Sequence, residues 1–342
     1  MPSTELRAVP TDRLGRRLRD LRVSVTDRCN FRCGYCMPRS TYGPGFRFAA
    51  RAQILSFEEI TRVVALATRC GVRKVRLTGG EPLLRRDLAG LVARLAALPQ
   101  VEDLALTTNG SLLTAHARAL RQAGLSRVTV SLDSLDEQVF RRMHDVEVPL
   151  AAVLAGIAAA RAAGLGPVKL NTVVRRGLNQ DGILDLADFA RNEGHVLRFI
   201  EYMDVGHSNG WRLDEVVPAQ EIIERIAQVH PLDPLPPRTP GEVARRYRYR
   251  DGGGEVGVIA SVTQPFCGAC TRARLTAQGR LYTCLFATEG TDLRAPLRAG
   301  ASDDEIVARL AGVWRERTDR YSERRTAAGP DPSRVEMSTV GG

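Results

Sequence analysis

Apolar and polar positions along this chain alternate between two periods. Short runs rich in β-branched and alternating residues occur at LRVSVT (21–26), KVRLT (74–78), DLALTT (103–108), RVTVSLD (127–133), VKLNTVV (168–174) and VLRFIEY (196–202), and they predict strands. Between them the period lengthens to that of a helix. Ile60, Val63, Val64 and Ala67 share one face, as do Leu88, Leu91, Val92 and Leu95, then Val153, Leu154 and Ile157, then Ile183, Leu186, Ala187 and Ala190. Ser56 and Glu59 stand at capping-box spacing ahead of the first of these helices. Strand and helix alternate about six times, which predicts an α/β fold with a parallel sheet and crossover helices. Six units fall short of the eight of a closed barrel, and no GxGxxG follows the first strand, so a partial barrel and an open sheet both fit. In either, the loops after the strands carry the site.

The rhythm changes after residue 206, which divides the chain into an expected barrel region, 1–206, and a smaller α+β region, 207–342. HPLDPLPPRTPGE (230–242) reads as a proline-dense connection. Around it stand a helix near AQEIIERIAQ, strand-like runs at RRYRYR and EVGVIASV, and a helix in DDEIVARLAGVWRER. The segment from Thr326 to the closing Gly341-Gly342 has weak periodicity, and composition alone predicts a frayed end.

With 342 residues, 44% hydrophobic and 26% charged, the chain has the composition of a globular protein with a sizeable core. No stretch approaches the ~20 consecutive apolar residues of a membrane span. The N-terminus lacks an apolar secretory segment, so the expected location is the cytoplasm. The net charge of +10 invites a nucleic-acid reading. Aromatic residues are only 5%, however, which disfavours a base-stacking platform. Lys74 and Lys169 are the only lysines among 49 basic residues, so arginine carries nearly all the charge. A small polyanionic substrate held by a few arginines fits that composition.

Seven cysteines change the picture, because six form two groups of three. Cys70 is left over, on an apolar helical pattern, and reads as a packed core residue. Cys29, Cys33 and Cys36 form C-x3-C-x2-C directly after the first strand. Three thiolates on a short loop suit a [4Fe–4S] cluster with one iron left open. A structural zinc site remains the alternative, although the nearest histidine is His116. Cys267, Cys270 and Cys284 form C-x2-C-x13-C, again three ligands, for a second cluster or a zinc knuckle completed from afar. The histidines show no metal spacing, and His144 and His195 read as structural or exposed.

The first cysteine motif resembles the signature of the radical S-adenosylmethionine superfamily, which implies a partial (β/α)6 barrel of the TIM type. It also implies a cluster whose open iron is chelated by S-adenosylmethionine, with reductive cleavage to a 5′-deoxyadenosyl radical. Tyr35 matches the aromatic position beside the adenosine, and TGGEP (78–82) matches the motif whose backbone meets the methionine amino group, with Gly80 the preferred contact. Ser131 and Met203 match further S-adenosylmethionine positions.

LRVSVTDRCNFRCGYCMP, TGGEPLLRRDL, RFIEYMDVG, FCGACTRARLTAQGRLYTCLF and the terminal Gly-Gly together resemble the GTP 3′,8-cyclase family of molybdenum cofactor biosynthesis, over about Leu14 to Gly342. That resemblance implies a lyase in which hydrogen is abstracted from the ribose C3′ of GTP and the substrate radical closes onto C8. The product is (8S)-3′,8-cyclo-7,8-dihydroguanosine 5′-triphosphate, which passes to cyclic pyranopterin monophosphate synthase. The resemblance also implies a second cluster that binds guanine, an electron donor, a homodimer, and neither nucleic-acid nor membrane partners. Arg22, Arg76, Thr107, Lys169, Arg272, Ala273 and Arg274 match GTP positions, with Arg22, Arg272 and Arg274 also in a catalytic part and Ala273 contributing backbone only. The Gly-Gly tail is implied to insert into the site. One departure is RRMHDVEVPLAAVLAGI, where a glycine-bearing turn is usual in the family. A two-cluster peptide maturase and a zinc-binding, nucleic-acid-associated protein are the competing readings; the TRAR setting opposes the first, and GGEP with six βα units opposes the second.

Overall fold

A computed structural model of the chain describes residues 9–325 and 333–341. The six expected strands are present as β1 (Asp20–Ser24), β2 (Lys74–Thr78), β3 (Asp103–Thr108), β4 (Arg127–Ser131), β5 (Lys169–Val174) and β6 (Val196–Glu201), each parallel to the next. They are linked by α1 (Phe57–Arg69), α2 (Leu88–Ala96), α3 (Leu113–Gln122), the pair α4 (Glu137–His144) and α5 (Leu150–Ala162), and α6 (Ile183–Asn192). Ser56 caps α1 as its spacing predicts. Its Oγ accepts from the Glu59 amide at 3.1 Å, and the Glu59 carboxylate accepts from the Ser56 amide at 2.7 Å, a motif that stabilises a helix by about 1 kcal/mol.

Alternation along the strands separates the two faces. Leu21 and Val23, Val75 and Leu77, Leu104 and Leu106, and Val128 and Val130 point outward into one apolar core with the buried faces of the helices. The intervening residues point inward.

The later strands extend this sheet at both ends. After α7 (Ala219–Val229) come β7 (Leu232–Leu235), β8 (Arg245–Tyr249) and β9 (Glu255–Ile259), and β9 pairs parallel with β6. Next, β10 (Arg272–Leu275) pairs parallel with β1 and is followed by β11 (Arg280–Tyr282) and β12 (Thr291–Asp292). The result is one 12-stranded sheet, in the order β12-β11-β10-β1-β2-β3-β4-β5-β6-β9-β8-β7, with no pairing between its ends: an incomplete barrel. The proline-dense connection is therefore partly a strand. Its Pro234 is tolerated because β7 is the sheet edge, where a residue without an N–H removes no ladder bond. The chain closes with α8 (Arg294–Arg298), α9 (Asp303–Arg315), α10 (Tyr321–Arg324) and α11 (Met337–Val340). Among the described residues no helix is long and apolar enough to cross a membrane.

Candidate active site

The loop after β1 presents Cys29, Cys33 and Cys36 as free thiols. It is held close to the loop after β2, where the Gly80 amide donates to Thr26 O at 2.9 Å and the Glu81 amide to Arg28 O at 2.8 Å. The approach requires glycine. A Cβ at Gly80 would lie 2.5 Å from the Arg28 carbonyl carbon and 3.0 Å from the Cys29 amide nitrogen. Glu81 then ties this loop to the next: its carboxylate accepts from the Leu83 amide at 3.0 Å, the Thr108 hydroxyl at 2.7 Å and the Asn109 amide at 2.7 Å. Burial pushes its carboxyl up to about 7, against the pull of those donors.

Burial likewise pushes the Cys29 thiol up to about 12, and the Phe31 amide donates to its sulfur at 3.4 Å. Beside this loop the Tyr35 hydroxyl donates to Asp133 at 2.7 Å, and the Val173 amide donates to the other Asp133 oxygen at 2.8 Å. His144 is buried, with Nδ1 3.0 Å from Cys33 Sγ. Its Nε2 lies 3.5 Å from Asp133, too poorly aligned to count as hydrogen-bonded. The departure at RRMHDVEVP thus brings a histidine to the cysteine loop that spacing alone did not flag.

Cys267 and Cys270 precede β10, and Cys284 follows β11; all three are free. Two buried arginines brace this loop from outside: Arg16 Nη1 donates to Cys267 O at 2.7 Å and Arg317 Nη1 to Cys270 O at 2.8 Å. Burial would raise the Cys270 thiol, yet Arg272 and Arg317 bring it down to about 6, and Arg272 donates to its sulfur at 3.3 Å. Burial pushes Cys284 up to about 11, while the Phe286 amide donates to its sulfur at 3.5 Å. Each trio thus supplies three thiols, with N–H donors set on sulfur, a donor set that fits an iron–sulfur cluster.

All six thiols line one cavity of about 260 Å³, together with Tyr35, Gly80, Ser131, Met203, Arg22, Arg76, Thr107, Arg272 and Arg274. Two sequence assignments sit elsewhere. Lys169 lines an adjoining hollow of about 160 Å³, which shares Arg22, Arg76, Arg198 and Arg272 with the main cavity. The Ala273 side chain packs into the apolar core on the opposite face of β10, so only its backbone is available. Asp133, His144, Asn171 and Arg198 also line the cavity, and sequence reasoning missed them as site residues. For Arg198 the signal was a lone arginine inside the apolar run VLRFIEY, at inward parity with Ile200. Asn171 Oδ1 and Arg198 Nε are buried with no hydrogen-bond partner among the described residues, as expected of atoms awaiting a ligand.

Strand register sets the charge. At the N-terminal ends, Arg272, Asp20, Lys74 and Asp103 stand side by side across β10, β1, β2 and β3, alternating in sign. One layer deeper, Arg274, Arg22 and Arg76 stand side by side with no carboxylate between them. Like charges directly opposite one another destabilise a sheet unless something compensates them. Burial first, and then neighbouring arginines, pull the proton affinities of Arg22 and Arg76 down to about 9, and that of Arg274 well down. Arg76 also donates to Thr107 at 2.9 Å and Thr129 at 3.1 Å. Burial, then Arg127 and Arg198, bring Lys169 down to about 7.

The C-terminal segment enters this layer. Arg274 Nη1 donates to the carbonyls of Val340 (3.4 Å) and Gly341. Ser24 Oγ donates to Thr339 O at 3.2 Å. Gly341 has φ +71° and lies against Ser24 and Thr78 so tightly that a Cβ would overlap Thr78. The final Gly342, and residues 326–332 of the expected tail, lie outside the described residues.

Residues 23–190 match the radical SAM superfamily model, and residues 195–323 match a model described as Molybdenum Cofactor Synthesis C. A curated protein named GTP 3′,8-cyclase from Acidothermus cellulolyticus is 58% identical, over 97% of this chain and 98% of its own length. The chain belongs to the GTP 3′,8-cyclase family. Other GTP 3′,8-cyclases stand at 52% identity in Xanthomonas axonopodis pv. citri and 44% in Staphylococcus aureus, each over 97% of this chain and 98% of the relative. Among solved structures, Streptococcus suis SuiB bound to S-adenosylmethionine superposes with a TM-score of 0.61 over 86% of this chain and 68% of that one. At 13% identity that likeness speaks for the fold. As a member of the radical SAM superfamily, the chain is of an iron–sulfur and S-adenosylmethionine-dependent class.

Proposed function

We propose that this chain is a radical S-adenosylmethionine lyase that converts GTP to (8S)-3′,8-cyclo-7,8-dihydroguanosine 5′-triphosphate, opening molybdenum cofactor biosynthesis, with two [4Fe–4S] clusters. One observation carries the substrate reading: the row Arg274–Arg22–Arg76, with no carboxylate standing between its members, shares a single cavity with both cysteine trios. A triphosphate neutralises that row, and guanidinium forks match phosphate oxygens bidentately.

Cys29, Cys33 and Cys36 would hold the first cluster, and Cys267, Cys270 and Cys284 the second. With S-adenosylmethionine and an electron from a reduced donor, the first would supply the chemistry of reductive sulfonium cleavage to a 5′-deoxyadenosyl radical and methionine. The remaining work is positioning by this chain. Gly80 lets backbone approach the cofactor, while Tyr35, fixed by Asp133, and Ser131 and Met203 bound its place. Arg22, Arg76, Arg272 and Arg274, with Lys169, Thr107 and the Ala273 backbone, fix the triphosphate. Walling the reaction inside the barrel keeps water and stray hydrogen donors from a radical. The reading has the chain act in the cytoplasm as a homodimer, take electrons from a reduced donor, and hand its product to cyclic pyranopterin monophosphate synthase.

The test is 5′-deoxyadenosine formation by anaerobically reconstituted protein with reductant and S-adenosylmethionine, comparing GTP, ATP and no nucleotide. GTP-dependent formation with loss of GTP supports the reading; cleavage indifferent to nucleotide refutes the substrate assignment.

A further inference from the structure

Asp204 directly follows Met203 in the loop after β6, and 1% of it is exposed. Its carboxylate gathers side chains from both segments that flank residues 326–332. Arg325 Nε lies 2.8 Å from Oδ1, Arg334 Nη1 lies 3.0 Å from Oδ2, and the Tyr321 hydroxyl also donates to Oδ2. Arg334 donates to Asp204 O as well, at 3.2 Å, and its guanidinium lies 4.0 Å from the centre of the Tyr321 ring. Both arginine side chains are at most 7% exposed, so these are charges taken out of water, and among the described residues the carboxylate that both of them meet is Asp204's.

The same loop holds the chain a second time, two residues beyond Arg334. Glu336 accepts from the Ser208 amide at 3.1 Å and the His207 amide at 3.3 Å. Directly after Glu336 comes α11, whose Ser338 hydroxyl lies 3.2 Å from the Tyr42 hydroxyl, and then Gly341. The hydrogen bonds of Arg274 run to Val340 and Gly341. A continuous set of contacts therefore leads from Asp204, through Arg334 and Glu336, to the arginine row.

We propose that Asp204 is a positioning residue, a buried latch that fixes the C-terminal segment so that its last carbonyls hold Arg274 in place for GTP. Asp204 is not among the residues that line the cavity; it acts through residues 334–341. The effect on turnover rests on the GTP reading above, whereas the latch itself does not.

The test uses full-length Asp204→Asn, which keeps the size and an acceptor for Tyr321 but removes the charge facing two arginines. Amide hydrogen exchange across 337–341 is expected to quicken at least ~10-fold, with the barrel strands unchanged, because only a local opening becomes easier. GTP-dependent 5′-deoxyadenosine formation is expected to fall ~10-fold while affinity for S-adenosylmethionine stays within ~2-fold. In a chain lacking 337–342 the same substitution should have no further effect on turnover, as two changes on one route are not additive. Should Asp204→Asn fail to fold, Arg334→Leu removes the tail-side partner and leaves Asp204 paired with Arg325. Unchanged exchange at 337–341 overturns the latch. Released exchange with undiminished turnover, or full additivity with the truncation, overturns its link to Arg274. Absence of GTP-dependent turnover in the parent protein refutes the substrate reading, and the exchange measurement still decides the latch.

Discussion

Gly80→Ala isolates the close approach of the loops after β1 and β2, where the proposed S-adenosylmethionine site lies. Gly80 does not use the left-handed region, so alanine there carries no conformational penalty of its own and the effect comes from one methyl group. That methyl would stand 2.5 Å from the Arg28 carbonyl carbon, where carbon atoms prefer about 3.5 Å, so one loop must retreat by about 1 Å. Both obstacles are backbone, so no rotamer change relieves the clash. Overpacking of this kind costs about 1–3 kcal/mol in stability. A misplacement of about 1 Å at a reacting centre costs on the order of 10²-fold in rate, equivalent to about 2.7 kcal/mol of barrier. The assay is 5′-deoxyadenosine formation with GTP at matched iron content, alongside S-adenosylmethionine affinity. Gly45→Ala, where nothing lies within 4 Å of the new methyl, serves as the control. Full rate and affinity in Gly80→Ala at full iron loading would refute the reasoning.

Three further outcomes are expected. Replacing either cysteine trio with alanine should lower iron from about eight to about four atoms per chain, and only loss of Cys29, Cys33 and Cys36 should abolish S-adenosylmethionine cleavage; an unchanged iron count in either variant contradicts its ligand role. Lys169, drawn down to about 7, is mostly neutral at pH 8 in nucleotide-free protein. The GTP anion favours its charged form, so binding at pH 8 should take up a proton, seen by calorimetry in buffers of different ionisation enthalpy and lost in Lys169→Met. Asp12→Ala leaves the buried Arg16 and Arg317 facing each other without their shared carboxylate. Chemical denaturation should show a loss of about 3–5 kcal/mol, and an effect below about 1 kcal/mol would show the pair to be compensated elsewhere.

How much of this was legible in the sequence follows from the range of the interactions. Strands β1 to β6 and the faces of α1, α2, α5 and α6 were readable because burial imposes a period on neighbouring residues. The pairing of β10 with β1 was not, since Arg22 and Arg274 are some 250 positions apart and nothing local records their register. That register nonetheless creates the arginine row. Strand β7 was hidden by Pro234 and the prolines that flank it, which its edge position tolerates. The thiol trios were plain from spacing, but Asp133 and His144 are ordinary residue types that acquire meaning through contact with Tyr35 and Cys33. The closing glycine illustrates the same limit: composition pointed to fraying, whereas Gly341 lies against Ser24 and Thr78 and accepts from Arg274.

The most direct test of the central claim, that the cavity with both thiol trios also holds GTP for radical chemistry, is isotope transfer. Reconstituted protein would be given S-adenosylmethionine, reductant and GTP deuterated at C3′, and the 5′-deoxyadenosine weighed by mass spectrometry. Deuterium should appear in 5′-deoxyadenosine, with GTP converted to the 3′,8-cyclised triphosphate. Unlabelled 5′-deoxyadenosine formed while GTP is left intact would contradict the account.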